Sequence, residues 1–435
     1  MAAKYVAEYR ATGENDKISA IISSTVLLSL SLCLAGTAVV VVFARTIVVD
    51  VLLIPPALQT DAVTGLYLAC ATIVSITLGQ IFQFVLQGLQ RFDRYLLVTN
   101  LSAVMSGGGG IILVLNGFGV IALLYLNLFT VTVIGLFSFF LAVKLLPEFK
   151  FSFRIQREMW RPVYRYAASI IAYQTFGNIL LLFERGWIMR KFGPEALAYY
   201  AVPMALAMYV HLFTASLVLG LFPMVNELLT HKARLVTLYQ KSTKLILTLV
   251  TFAVISVVAG GRLFLGLWLS DEFAAVSYEF LVIHVFSFAL LALGTVVWQV
   301  AESFRAAALN AFAAFAWMAV SVPLMILLAD RWQTTGIAVA RLAGVLVFIP
   351  LIFYVEKRFL GGVYWRFWGF VATRIAFAAA LAFSVEYLIV STMGRGWLTF
   401  VFAVTAGFLV YLTGLVVIGF LDDEEKQLIR AAIAL

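Results

Sequence analysis

The sequence predicts an all-α polytopic integral membrane protein, with about twelve transmembrane helices in two parallel-repeat bundles plus two extra C-terminal helices. Three observations carry this prediction. Of the 435 residues, 63% are hydrophobic and only 12% are charged, against about 25% charged in a typical soluble domain. The apolar residues fall in runs, and about 20 helical residues at 1.5 Å each cross roughly 30 Å of hydrocarbon. The basic residues concentrate in alternate loops between those runs. A water-soluble fold is excluded, because too little polar surface exists to cover a core. Twelve spans with short loops use nearly the whole chain, which leaves no room for a large soluble domain.

The runs cover residues 18–43, 62–85, 96–115, 120–143, 166–189 and 199–225, then 245–263, 280–300, 306–328, 334–355, 368–389 and 398–420. None alternates with period two, and each exceeds strand length. Each must therefore be a helix that satisfies its own backbone within the bilayer. In the third run the stretch GGGG at 107–110 reads as a hinge, a close-approach surface or a helix break.

Orientation follows from Lys and Arg. The N-terminal segment and every second loop after it hold 21 of the 30 basic residues; the loops on the other side hold 6. Such asymmetry places both termini in the cytoplasm of a multi-pass cell-membrane protein. It also accounts for the net charge of +8 through contact with anionic membrane lipids, with no nucleic acid required. The remaining three, Arg185, Arg341 and Arg374, fall inside spans.

An internal repeat is visible. Arg91 follows the second run and Arg305 the eighth, an offset of 214 residues; Gly119 and Gly336 are offset by 217. The pattern fits two parallel bundles. It divides the chain into an N-terminal bundle of four helices (1–150), a C-terminal bundle of six (151–360), and two further helices with a tail (361–435). By this offset the first bundle lacks the counterparts of two helices, about 50 residues: either the chain is shortened at its N-terminus, which is the expectation, or the first bundle has four helices.

Polar side chains inside spans carry the functional information, because they are costly in hydrocarbon. Gln80, Gln83, Gln87, Gln90 and Arg94 are spaced 3, 4, 3 and 4, and lie within an arc of about 80° on one helix. Gln174, Asn178 and Arg185 share an arc of about 40°; His284, Thr295, Gln299 and Glu302 share one of about 60°. Each face fits either a wet wall offering donors and acceptors to sugar hydroxyls or a dry seam in which amides pair between helices. Three such faces, drawn from both bundles, favour one shared polar cavity. Arg341 lies roughly 10 Å into its span, where it can hold a pyrophosphate through its guanidinium fork or snorkel to the headgroups. The same alternatives stand for Arg185. Arg374 reads as a lipid-facing snorkeller.

Absences narrow the function. The chain contains no Gly-Lys pair, so no P-loop for nucleotide-driven transport. Cys33 and Cys70 both lie in apolar runs and imply neither a disulfide framework nor a metal cluster. His211, His231 and His284 stand far apart. No metal and no other cofactor is expected. The candidate catalytic carboxylates reduce to Asp50 and Asp61, which argues against an enzyme.

The stretch ERGWIMRKFGPEALAYYAVP at 184–203 resembles a signature of bacterial polysaccharide and lipid-linked oligosaccharide flippases (Wzx-type), a family of the multidrug/oligosaccharidyl-lipid/polysaccharide exporter superfamily. Its positions are Glu184, Gly193, Pro194, Glu195, Ala196 and Tyr200. LQGLQRF at 86–92 and YVAEYRATGE at 5–14 are similar to two of the family's loops. The chain departs from the pattern in Glu184, where Asp is commoner, in Ala198, where Gly is commoner, and in the absence of the first two family helices. The resemblance implies alternating-access transport of a polyprenyl-pyrophosphate-linked glycan to the outer leaflet. It further implies Gln80, Gln83, Gln87, Gln174, Asn178 and Gln299 on the sugars, and Arg341 and Arg185 on the pyrophosphate. A polysaccharide polymerase or glycosyltransferases are the implied partners. Two rivals stand beside this reading: a multidrug/cation antiporter of the same superfamily, and an inactive or accessory membrane protein.

Overall fold

A computed structural model describes residues 6, 9–10, 15–146, 149–152, 160–218 and 221–420. Among the described residues every regular element is helical, and ten helices are long and apolar enough to cross a membrane. The count is ten and not twelve because two of these stretches each hold two helices on either side of a kink. Helix α5 (Trp160–Leu217) passes through both 166–189 and 199–225, bending at Gly193, where φ is 87° and Pro194 follows. Glycine adopts this left-handed backbone without a Cβ penalty, and the proline cannot continue the hydrogen-bond ladder. Helix α9 (Ala307–Val345) bends at Gln333, with φ 50° and ψ −134°. A non-glycine residue in that region costs on the order of 1–3 kcal/mol. Packing just beyond the bend is tight: a Cβ at Gly336 would run into the Leu328 carbonyl.

The chain divides into two compact units, residues 1–168 and 169–435. In the first, α1 (Asn15–Val42) leads through a single turn (Ala44–Thr46) and a π-turn (Ile47–Val51) to α2 (Pro56–Gly88). Helices α3 (Phe92–Leu115) and α4 (Val120–Leu145) follow. α2 and α4 meet at glycines, where a Cβ on Gly79 would lie 2.8 Å from the Gly135 Cα. Beside them the Thr132 hydroxyl donates to the Ser75 hydroxyl at 3.1 Å. Small residues allow this close approach, and the resulting contact replaces the hydrophobic drive that lipid does not supply. The four glycines at 107–110 do not break α3. Gly109 and Gly110 pack on Leu126 and Leu123 of α4, while Gly107 and Gly108 face open space.

In the second unit α5 continues through α6 (Leu221–Glu227) to α7 (Lys232–Trp268) and α8 (Asp271–Ser303). After α9 come α10 (Phe348–Val355), a π-turn (Glu356–Leu360), α11 (Trp365–Thr392) and α12 (Trp397–Val417). The core centres on α8, whose Phe280, Leu281, Val285, Val296 and Val300 are all buried. Helices α11 and α12 pack against α7 in a smaller cluster around Ile255, Ile375 and Tyr411. Large apolar side chains point outward, Leu398 at 87% exposure among them, as a lipid-facing surface requires. Arg374, expected to snorkel, is instead half-buried: its Nε donates to the Ile418 carbonyl at 2.9 Å and its guanidinium lies 3.7 Å from the Phe370 ring centre. The exposed carbonyls at the end of α12 supply the acceptor.

Two features of the expected repeat reappear locally. Helices α2 and α8 each contain 33 residues. Each ends in a turn with one left-handed residue, Gln90 (φ 56°) and Arg305 (φ 58°).

Candidate functional site

The second unit encloses a cavity of about 600 Å³ between the first arm of α5, the C-terminal half of α8, and the start of α9 and α10. Helix α5 places Gln174 and Asn178 on its wall, one turn apart, with His211 from beyond the bend. Helix α8 contributes Thr295, Trp298, Gln299 and Glu302, the i, i+3, i+4, i+7 pattern of one helix face. The remaining wall is aromatic: Trp298 stacks on Phe348 at 6.1 Å, and Trp317 meets Phe348 edge-on at 6.0 Å. The Trp298 Nε1 donates to Glu302 Oε1 at 3.1 Å, and Asn310 Nδ2 donates to the Trp298 carbonyl at 3.2 Å. The cavity therefore combines amide donors and acceptors, one carboxylate held by an indole, and flat apolar faces.

Next to this cavity lies a buried polar cluster. Glu184, at 0% exposure, accepts from Arg341 Nη1 at 2.6 Å through Oε2, and from the Tyr200 hydroxyl through Oε1. Arg341, at 4% exposure, lies 5.1 Å from the Trp317 ring centre and 5.2 Å from that of Phe288. Tyr200 meets the His284 ring edge-on at 4.6 Å. The His284 nitrogens, Arg341 Nε and Trp317 Nε1 find no partner among the described residues. Trp317 thus belongs to both features, lining the cavity and bearing the guanidinium. The cluster also binds the bends together: Glu184 precedes the Gly193 bend, Tyr200 follows it, and Arg341 follows the Gln333 bend. A second pair, Lys191 with Asp330, joins the same two helices just before their bends.

The structure brings three of the expected site residues, Gln174, Asn178 and Gln299, to one cavity. Arg341 and Arg185 are not on its wall: Arg341 is committed to Glu184, and Arg185, the next residue along from Glu184, is exposed. A guanidinium this deep must have a partner, and the nearest carboxylate supplies it. Gln80, Gln83 and Gln87 lie on α2 of the first unit, Gln80 exposed and the other two half-buried. The same-face reading of α8 grouped His284 with Gln299, but eleven residues separate it from Thr295, about 16 Å along the helix. It therefore sits in the buried cluster and not in the cavity. Sequence reasoning missed Trp298, Trp317 and Phe348, which no spacing distinguishes among so many aromatic residues. It also missed the Glu184–Arg341 pair, which the cost of two charges in one membrane layer could have suggested.

Helix order, the two kinks and a polar cavity between long apolar helices define a multi-pass membrane protein. Solved structures place that fold. The lipid II flippase MurJ in an inward closed conformation is similar with a TM-score of 0.75 at 13% identity, over 96% of this chain and 87% of that one. An inward-facing multidrug resistance MATE family transporter of the MOP superfamily gives 0.70 at 14% identity, over 82% and 84%. A MOP superfamily transporter from Pyrococcus furiosus gives 0.60 at 15% identity, over 83% and 84%. Residues 1–229 match the family described as polysaccharide biosynthesis protein, and the chain belongs to that family. No curated protein sequence matches it.

Proposed function

We propose that this protein is a flippase that moves a lipid-linked oligosaccharide or polysaccharide precursor from the cytoplasmic to the outer leaflet by alternating access. The observation that supports this reading best is the cavity of the second unit, where Gln174, Asn178 and Gln299 line one space with Trp298 and Trp317. Sugars present hydroxyls that both donate and accept, and primary amides answer both roles. Their C–H faces are apolar, and indole rings offer matching flat surfaces. Gln80, Gln83 and Gln87 provide the same chemistry in the first unit. The polyprenyl tail stays in lipid while the headgroup enters the protein. Exposed Arg185 is the guanidinium available to the pyrophosphate, whereas Arg341 serves Glu184. A polymerase or glycosyltransferases acting on the same lipid-linked glycan are the partners this role implies. The predominance of basic residues in alternate loops supports cytoplasmic termini.

Glu302 favours a second reading. A carboxylate beside an indole in a membrane cavity also suits an organic cation, as in a multidrug antiporter. The two separate in one experiment. Expression in a bacterial strain lacking its own polysaccharide flippase should restore surface glycan, and the Asn178→Ala/Gln299→Ala variant should reduce that restoration about tenfold or more, the effect of losing two hydrogen bonds of about 1 kcal/mol each. Absence of surface glycan together with raised resistance to cationic drugs would replace this proposal with the antiporter.

A further inference from the structure

Arg262 lies near the end of α7, exposed, and forms no hydrogen bond or salt bridge with a described residue. It lines a second cavity of about 610 Å³, together with Asp271 and Tyr278 of α8, Tyr387 of α11, and Arg395 of the loop before α12. Asp271 is already satisfied, because Arg395 donates to it from Nη1 at 2.7 Å and again from Nη2. This pair rests on Gly266 of α7, where a Cβ would come 2.7 Å from Arg395 Nη2 and 2.8 Å from Asp271 Oδ1. Tyr278 donates its hydroxyl to the Val258 carbonyl at 2.6 Å, which fixes the wall between α7 and α8. Arg262 also acts on Asp271 through space without a hydrogen bond to it, so one carboxylate against two guanidiniums leaves the lining with one net positive charge, and Arg262 with its donors free.

The depth of this cavity identifies its surroundings. It lies at the helix ends opposite the basic start of α7. Trp268 closes α7 and Trp397 opens α12; both are exposed, and both pack on Phe264. Exposed tryptophans at helix ends mark the level of the lipid headgroups. A cavity at that level, open between three membrane helices and carrying one net positive charge, offers a guanidinium to a headgroup with one net negative charge.

We propose that this cavity binds the phosphodiester headgroup of an anionic lipid, held by Arg262 with the hydroxyl of Tyr387 beside it. A phosphodiester carries one negative charge and so matches the site, whereas inorganic phosphate carries more charge and lacks a lipid anchor. The site is separate from the chamber of the proposed transport reaction and does not depend on what that chamber carries.

The test uses the purified full chain, with lipid retention measured by native mass spectrometry as phosphatidylglycerol, phosphatidylcholine or inorganic phosphate is titrated in. The wild type should retain phosphatidylglycerol over phosphatidylcholine. Arg262→Gln should weaken phosphatidylglycerol binding about tenfold, one charge-assisted hydrogen bond's worth, and Arg262→Lys should weaken it less. Arg331→Gln, which removes an exposed arginine outside the cavity, should leave binding unchanged. Equal losses in Arg262→Gln and Arg331→Gln, equal retention of the two lipids, or displacement of phosphatidylglycerol by millimolar inorganic phosphate would each overturn the proposal. Retention by Arg262→Gln at the wild-type level would do the same.

Discussion

Arg341 reaches Glu184 across 157 residues of sequence, with Nη1 2.6 Å from Oε2 and both side chains buried. The pair ties the arm of α5 before its bend to the arm of α9 after its bend. A buried ion pair is weak evidence for net stability, but removing one member strands the other charge, at about 3–5 kcal/mol. Arg341→Ala should therefore lower the melting temperature and the yield of folded protein as well as transport. The double variant Glu184→Leu/Arg341→Met, which removes both charges, should recover most of the lost stability. Thermal unfolding in detergent checks this; a double variant as unstable as Arg341→Ala would show that the pairing is not what holds the two helices.

A second buried carboxylate marks the seam between α11 and α12. Glu386 is at 0% exposure, and Ser256 of α7 donates to its Oε1 at 3.2 Å. Gly407 of α12 faces it, and a Cβ there would overlap the carboxylate. Gly407→Ala should cost about 1–3 kcal/mol through overpacking. Adding Glu386→Ala should return part of that loss, since the clash and its cause disappear together. Melting curves of the two single variants and the double decide it: strictly additive losses would mean the two positions do not meet.

Glu356 links three segments. The Tyr239 hydroxyl of α7 and the Trp368 Nε1 of α11 each donate to its Oε1 at 2.9 Å, and the Tyr364 amide donates to Oε2 at 3.2 Å. With Glu356 fully buried, loss of one donor leaves part of its charge unanswered. Tyr239→Phe should reduce stability by about 1.5–3 kcal/mol, the range for hydrogen bonds to charged groups. Urea or thermal denaturation in micelles measures this, and an unchanged midpoint would contradict it.

The helical membrane fold was legible because hydrocarbon imposes its own length on the sequence, and runs of about 20 apolar residues leave few alternatives. The break between 166–189 and 199–225 falls where the structure has it: Gly193 leaves helical backbone, with a helix on either side. Gln174, Asn178 and Gln299 were found by helical spacing, since residues on one helix face converge wherever that face points. The same rule misplaced His284, because spacing gives direction around a helix but not depth along it. The role of Arg341 was illegible for a related reason: its partner lies on another helix, and periodicity within one helix says nothing about which charges meet across two. Trp317, which lines the chamber and carries the guanidinium, had no signal in a chain with 14% aromatic residues.

The proposed flippase role requires that Gln299 face a water-filled chamber that takes up a glycan headgroup. Its most direct test replaces Cys33 and Cys70, the only two cysteines, with serine and introduces Gln299→Cys. The variant is then exposed to a membrane-impermeant maleimide in inverted membrane vesicles, with and without a lipid-linked oligosaccharide. Labelling of the new thiol is expected, with protection from it by the glycan lipid but not by a cationic drug. No labelling, or protection by the drug alone, would contradict it.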